Sequence, residues 1–317
     1  MKSSKVCILG GTGFVGRHLA TRLAANGIES VIPTRHPQRH SCLRTIEGVR
    51  LTKSNPFDPD QLQQLFNGCD AVINLIGILN ESKGNRSFQH LHVTLGNHVV
   101  EACKKVGINR LLHMSALNAS ESNGPSQYLK TKGKAENRTH TLGQPQIRVT
   151  SFRPSVIFGH DDSFFNRFAS LLQSIPGPFP LACPAARFAP VYVGDVVQAF
   201  ALSLDDKVTW GKHYELCGPR TFSLRELVQY TADTLELNKR VIGLSDGFSR
   251  LQARALGLFP GKPFSYDNYL SLQVDSVCSN NGLGELGIEP TDIDTIVPFY
   301  LAGKSERNRY LQLRQLT

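Results

Sequence analysis

Short apolar runs alternate with amphipathic stretches through the first half of the chain. Val6-Cys7-Ile8-Leu9 is a four-residue apolar run, and Leu19, Leu23 and Ala24 then recur at helical spacing. Such runs predict strands near 5–9, 28–33, 49–53, 70–76, 110–115 and 147–152. The periodic stretches between them predict helices near 14–26, 59–66, 86–106 and 126–141. Strands and helices alternating at this interval predict an α/β protein with a doubly wound parallel sheet, its right-handed crossovers placing helices on both faces.

The pattern changes near residue 155. Ile175-Pro176-Gly177-Pro178-Phe179-Pro180 reads as a loop. Gly194-Asp195 opens a helix with Asp195 as its cap, and Tyr214–Cys217 reads as one more sheet strand. Ser223-Leu224-Arg225-Glu226 has the form of a capping box, and the remaining chain is mostly helical and polar at its end. The expected organisation is a nucleotide-binding domain over 1–154, to which 188–218 return. A smaller, mainly helical lobe over 155–187 and 219–317 faces substrate or partner.

Composition narrows the class. The 317 residues are 40% hydrophobic, ample for a sizeable core, and no apolar run approaches the ~20 residues that span a bilayer. The opening apolar run is too short for a signal-peptide core, so the expected location is cytoplasmic, or peripheral to the inner face of a membrane. Seven cysteines are scattered without a Cys-x-x-Cys, which predicts small buried thiols in a reducing compartment rather than disulfides or zinc. The net charge is +9, but the basic residues form no single run and no aromatic-studded motif accompanies them, which excludes nucleic acid as a partner.

The chemistry starts at Gly10-Gly11-Thr12-Gly13-Phe14-Val15-Gly16, between the first strand and the first helix. Gly10 permits a tight turn, Gly13 lets backbone approach a pyrophosphate, and Gly16 lets the helix pack close to the sheet. Amides of this turn and helix N-terminus suit phosphate oxygens. Asn74-Leu75-Ile76-Gly77 should end a central strand beside it, placing Leu75, Ile76 and Gly77 at the rim of the binding crevice. The second strand should end near Thr34, where a carboxylate would receive a ribose 2′-hydroxyl of NAD; the residues are Thr34-Arg35-His36. The forked cation of Arg35 suits a 2′-phosphate, so NADP(H) is expected over NAD(H). Asn55 is either an adenine contact or a turn residue before Pro56.

Tyr128 and Lys132 lie four apart, on one face of a predicted helix, and Ser115 closes the fifth strand. An ammonium beside a phenol lowers the phenol's pKa and makes it a usable acid or base; a serine hydroxyl orients a substrate oxygen.

The glycine turn, Ser115 and Tyr128-x-x-x-Lys132 together resemble the short-chain dehydrogenase/reductase superfamily. Several segments further resemble its atypical branch, related to the NADPH-binding accessory subunit of respiratory complex I. They are Asn74–Leu79, His113–Ala119, Arg153–Gly159, Asp162–Phe168 and Pro190–Val196, and the likeness runs from residue 5 to about 300. The resemblance implies a Rossmann-type core with a small C-terminal lobe, with Pro154, Ser155 and Val156 bordering the nicotinamide. One departure is His92, where many members of the superfamily carry an asparagine; it takes a polar role near the cofactor or packs against the sheet.

Two functions fit these residues. One is an NADP(H)-dependent oxidoreductase, or a related epimerase or dehydratase, acting on a small or apolar carbonyl or alcohol, quinone-like molecules included. The other is a non-catalytic NADP(H)-binding assembly or stability factor whose partner is a respiratory or quinone-related complex. No metal constellation is expected: His90 and His92 point apart on a helix, and His36 and His40 lack a carboxylate. Phe164, Phe165, Phe168, Leu171, Leu172 and Ile175 form an apolar stripe, read as core or as the wall of an apolar-substrate pocket with Arg167 at a polar head group.

Overall fold

A computed structural model of the chain describes residues 3–81, 87–259 and 264–302. The chain divides into two compact units. The first comprises 1–154, 194–216 and 280–288; the second comprises 155–193, 217–279 and the chain from 289.

The first unit is a Rossmann-type α/β layer structure. Its strands are β1 (Lys5–Leu9), β2 (Glu29–Thr34), β3 (Val49–Lys53), β4 (Ala71–Asn74), β5 (Arg110–Met114), β6 (Arg148–Pro154) and β7 (His213–Leu216). They form one seven-stranded sheet in the order β7-β6-β5-β4-β1-β2-β3, parallel throughout. β1 and β4 are apolar almost end to end because helices cover both faces. The order reverses between β1 and β4, where open α/β sheets bind ligands beyond their strand ends.

Helices of this unit include α1 (Phe14–Ala25), α2 (Pro59–Phe66), α3 (Leu95–Val106) and α4 (Gln127–Gly143), and nearly all of a later helix from Val193 also belongs to it. Asp58 caps α2 by accepting from the amides of Asp60 and Gln61, and Ser126 caps α4 by accepting from Leu129. The stretch expected to be one helix over 86–106 is a π-type segment, Gln89–Thr94, running into α3, with residues 82–86 outside the described residues. One core cluster joins Cys7, Leu9, Phe66, Val72, Leu95, Val99, Leu111 and Val149.

In the second unit, α5 (Phe165–Ser174) packs with the later helices around two clusters, one with Phe158, Phe165 and Val297, the other with Leu172, Leu181 and Val228. The apolar stripe is therefore core. Helix α6 (Val193–Ser203) begins two residues before Asp195, so that carboxylate sits within the first turn, not at the expected cap. It still meets the positive end of the helix dipole there. The expected capping box of α7 (Leu224–Thr234) is present, with Ser223 and Glu226 bonded reciprocally. Helices α8 (Asp246–Leu256) and α9 (Tyr266–Ser271) follow. The reading of the cysteines needs correction: Cys217 and Cys278 are disulfide-bonded, with Cα atoms 6.0 Å apart. They are 61 residues apart, and only the fold brings them together.

Candidate functional site

The glycine turn is built for close approach. Gly10 has φ of +79°, and its amide carbonyl receives the Gly13 N–H at 2.9 Å. A Cβ on Gly10 would lie 3.2 Å from the Ile76 amide nitrogen, and one on Gly16 would lie 2.5 Å from the Gly10 oxygen. Gly11, not singled out from sequence, is equally constrained, since its Cβ would sit 2.8 Å from the Ile32 side chain. Arg17 donates to the Thr12 carbonyl at 2.8 Å and stiffens the turn. Unlike α2 and α4, α1 starts from a glycine, Gly13, with no side-chain cap, followed by Phe14 and Val15. A cradle that any Cβ would fill, at an uncapped helix N-terminus, fits a dinucleotide diphosphate.

At the end of β2, Thr34 is buried, and Arg35 and His36 are exposed. Asn55 takes the second of its two expected roles. Its Oδ1 accepts from the Phe57 amide at 3.2 Å, an Asx turn before α2. Leu75 donates its amide to the Leu9 carbonyl, and the Ile76 amide donates to Asn74 Oδ1, which fixes the segment beside the glycine turn.

Lys132 sits against the same segment. Its Nζ donates to the Met114 carbonyl at 2.7 Å, and a Cβ on Gly77 would lie 3.1 Å from it. Burial lowers the Lys132 pKa to about 8, against the opposing pull of the Glu136 carboxylate. Tyr128 packs its ring edge-on to Phe88 and His92. Its pKa is not lowered as expected from the neighbouring lysine; burial dominates and pushes it up to about 12.

His92 resolves to a defined tautomer. Its Nε2 accepts from the Ile78 amide, and Thr131 Oγ1 donates to main-chain carbonyls of Gln127 and Tyr128. The His92 Nδ1 therefore donates to Thr131 Oγ1 at 2.9 Å. Burial and the Lys132 charge hold its pKa at about 2, so the ring is a neutral strut between the end of β4 and α4.

Ser115 is buried, and its Oγ donates to Glu136 Oε2 at 2.6 Å. Glu136 was missed from sequence, although the spacing signals it: Tyr128, Lys132, Glu136 and His140 recur every fourth residue down one face of α4. Its side chain is fully buried and also accepts from Arg153 Nε, 3.0 Å from both oxygens, and from His213 Nδ1. Burial alone would raise its pKa; the hydrogen bonds from His213 and Ser115 and the Arg153 charge outweigh it and hold Glu136 at about 2. His140 completes the row, its Nε2 2.9 Å from Ser151 Oγ and its ring stacked on His213 at 4.2 Å between centroids.

Glu136, His140 and His213 bring potential metal-ligating atoms within 4.8 Å of one another. Ser115, Arg153 and His213 already occupy both carboxylate oxygens, and a guanidinium that close opposes a cation. The cluster is better described as a charge network. His113, on β5, is buried, and neither ring nitrogen has a partner among the described residues; burial lowers its pKa to about 3.

Pro154 ends β6. Ser155 and Val156 belong to the second unit, where Ser155 Oγ donates to the Ser276 carbonyl at 2.7 Å and the Val156 carbonyl accepts from Val191. Arg167, on α5, is exposed, and partial desolvation lowers its pKa.

Residues 6–217 match the NAD dependent epimerase/dehydratase family. The chain is 30% identical over 312 residues to the Arabidopsis thaliana mitochondrial protein "NADH dehydrogenase [ubiquinone] 1 alpha subcomplex subunit 9", covering 93% of this chain and 75% of that one. It is 28% identical over 294 residues to the Rattus norvegicus protein of the same name, covering 90% and 77%. The fold is shared with the Escherichia coli NADPH-dependent quinone oxidoreductase QOR2, with a TM-score of 0.72 at 17% identity, covering 94% of this chain and 98% of that one. With its glycine cradle, parallel sheet and strand order, the chain belongs to the NAD dependent epimerase/dehydratase family, whose nicotinamide-dinucleotide site the first unit carries.

Proposed function

We propose that the chain binds NADP(H) and performs hydride-transfer chemistry on a small or apolar carbonyl or alcohol, quinone-like molecules included. The bound nicotinamide supplies or receives the hydride. Tyr128 holds the proton that joins or leaves the substrate oxygen, and Lys132 supplies the cation beside it. Ser115 gives its own proton to Glu136, so it presents lone pairs and is suited to receive a substrate hydroxyl. Arg35, with no carboxylate at the end of β2, supports NADP(H) over NAD(H). Pro154, Ser155 and Val156 are assigned to the nicotinamide side.

One observation carries this reading. The segment Leu75-Ile76-Gly77 touches the glycine cradle at Ile76 and the Lys132 ammonium at Gly77, so cofactor cradle and reactive pair share one strand end. Native mass spectrometry with NADPH and NADH, followed by absorbance of bound NADPH against a panel of aldehydes and quinones, tests it. Retained NADPH that is oxidised by a panel member, with the oxidation lost in Tyr128→Phe and Lys132→Met, is the expected result. Absence of any retained nucleotide overturns it.

The names of the rat and Arabidopsis relatives favour a second reading, a protein that holds NADP(H) as a structural ligand and serves a respiratory complex. NADPH that is retained but never oxidised, with Tyr128→Phe silent in cells, would select it.

A further inference from the structure

Helix α8 is built inside out. The residues it buries are small, Ser249 and Ala253, while Phe248 and Leu251 are 64% and 62% exposed. At 3.6 residues per turn, Phe248, Leu251 and Ala255 fall within about 60° of arc on the outer side. The ridge continues past the helix end. Leu258 and Phe259 keep helical turns by donating their amides to Ala255 and Leu256, and they are 88% and 60% exposed. An outward stripe of large apolar groups on a helix that seats itself with serine and alanine is the reverse of core packing.

The flank of this ridge is aromatic and carries two arginines, of which Arg250 is paired with Asp246 at 3.1 Å. Arg254 lies over the Tyr266 ring at 5.5 Å and Arg250 over Tyr269 at 5.8 Å, and Tyr266 stacks on Tyr269. These cation–π contacts hold two guanidinium groups beside the apolar crest. Lys239 and Arg240 lie a few residues ahead of the helix, and the whole chain carries +9. A one-helix-wide apolar crest, edged by arginine and tyrosine, matches a helix lying in the plane of a lipid surface.

We propose that α8 and the turn through Phe259 form a membrane-surface anchor for anionic lipid. Phe248, Leu251, Leu258 and Phe259 enter the headgroup–acyl boundary, and Arg254 meets lipid phosphate. The anchor is independent of nucleotide chemistry. No helix among the described residues is long and apolar enough to cross a membrane, so this contact is peripheral.

Flotation of the full-length protein with phosphatidylcholine vesicles, with and without phosphatidylglycerol, tests the anchor. Binding to the anionic vesicles, weakened by salt, is expected. Leu251→Asp with Leu258→Asp should weaken it on the order of tenfold or more. Arg254→Gln should weaken it several-fold on anionic vesicles only, and Val208→Asp, at an exposed apolar position in the first unit, should leave it unchanged. As a check that does not depend on charge in the helix, the emission of Leu258→Trp should shift to the blue on anionic vesicles. Native protein that fails to float, or an unshifted Leu258→Trp emission, overturns the proposal; empty vesicles would leave a protein surface as the partner of the ridge.

Discussion

Two buried histidines and one partly buried one make the first unit sensitive to mild acid. His92, His113 and His140 have pKa values of about 2, 3 and 4, because burial disfavours the charged ring in each case. In the unfolded chain each takes a proton near its ordinary value of 6.5. Native rings stay neutral, so the unfolded state binds more protons below that pH, and stability is complete above it and falls as pH drops. By pH 5 each ring has cost about 2 kcal/mol, near 6 kcal/mol for the three, against a typical total of roughly 5–15 kcal/mol. Trp210 is the sole tryptophan and lies in the first unit, so its fluorescence in urea titrations reports that unit. Titrations from pH 8 to pH 5 should show the loss, with carboxylates still ionised. The contribution of His113 is separable. Its ring makes no hydrogen bond among the described residues, so His113→Phe should remove about a third of the slope, allowing for some strain from the larger ring. Stability that changes by less than about 2 kcal/mol across this range would refute the account of neutral buried rings.

Glu136→Gln should destabilise the first unit by about 3 kcal/mol at pH 7, because Arg153 and His213 lose the charge they share; denaturant midpoints measure it. That penalty should shrink toward pH 3, since Glu136 has a lowered pKa and contributes its stability above the ordinary carboxylate range. Lys132 has the same sense on the alkaline side: its native pKa of about 8 means stability rises as pH climbs from 8 toward 10.5, and Lys132→Met should raise the melting temperature at pH 7 while removing turnover. Gly16→Ala should cost about 1–3 kcal/mol and weaken nucleotide retention in native mass spectra, since the new Cβ meets backbone atoms that cannot yield.

What could be read from the chain follows from the range of each interaction. Strand and helix positions through residue 154 depend on local periodicity, and β1, β3 and α2 lie where the apolar pattern puts them. The glycine turn was legible for the same reason: the Gly10–Gly13 hydrogen bond and the close packing of Gly16 on Gly10 act within seven residues. The chemistry around Ser115 was legible only in part, because it is settled across the sheet. Glu136 meets Ser115 from 21 residues away, Arg153 from 17 and His213 from 77, and β7 returns beside β6 only after the chain has passed through the second unit. The Cys217–Cys278 bond was hidden by the same kind of separation.

The four-residue recurrence on α4 was in plain view, yet only its first two members fit a known motif. Carrying the recurrence on to Glu136 and His140 alters the chemistry assigned to the first two. A buried carboxylate one turn beyond Lys132 stabilises that ammonium while accepting the serine O–H hydrogen bond. With Ser115 Oγ committed as donor to Glu136, a substrate carbonyl would take its hydrogen bond from Tyr128 alone, whereas a substrate hydroxyl would also find an acceptor in Ser115. In the proposed reaction Glu136 would thereby favour binding of the alcohol, and Glu136→Gln would keep that preference only if its amide turned its oxygen toward Ser115.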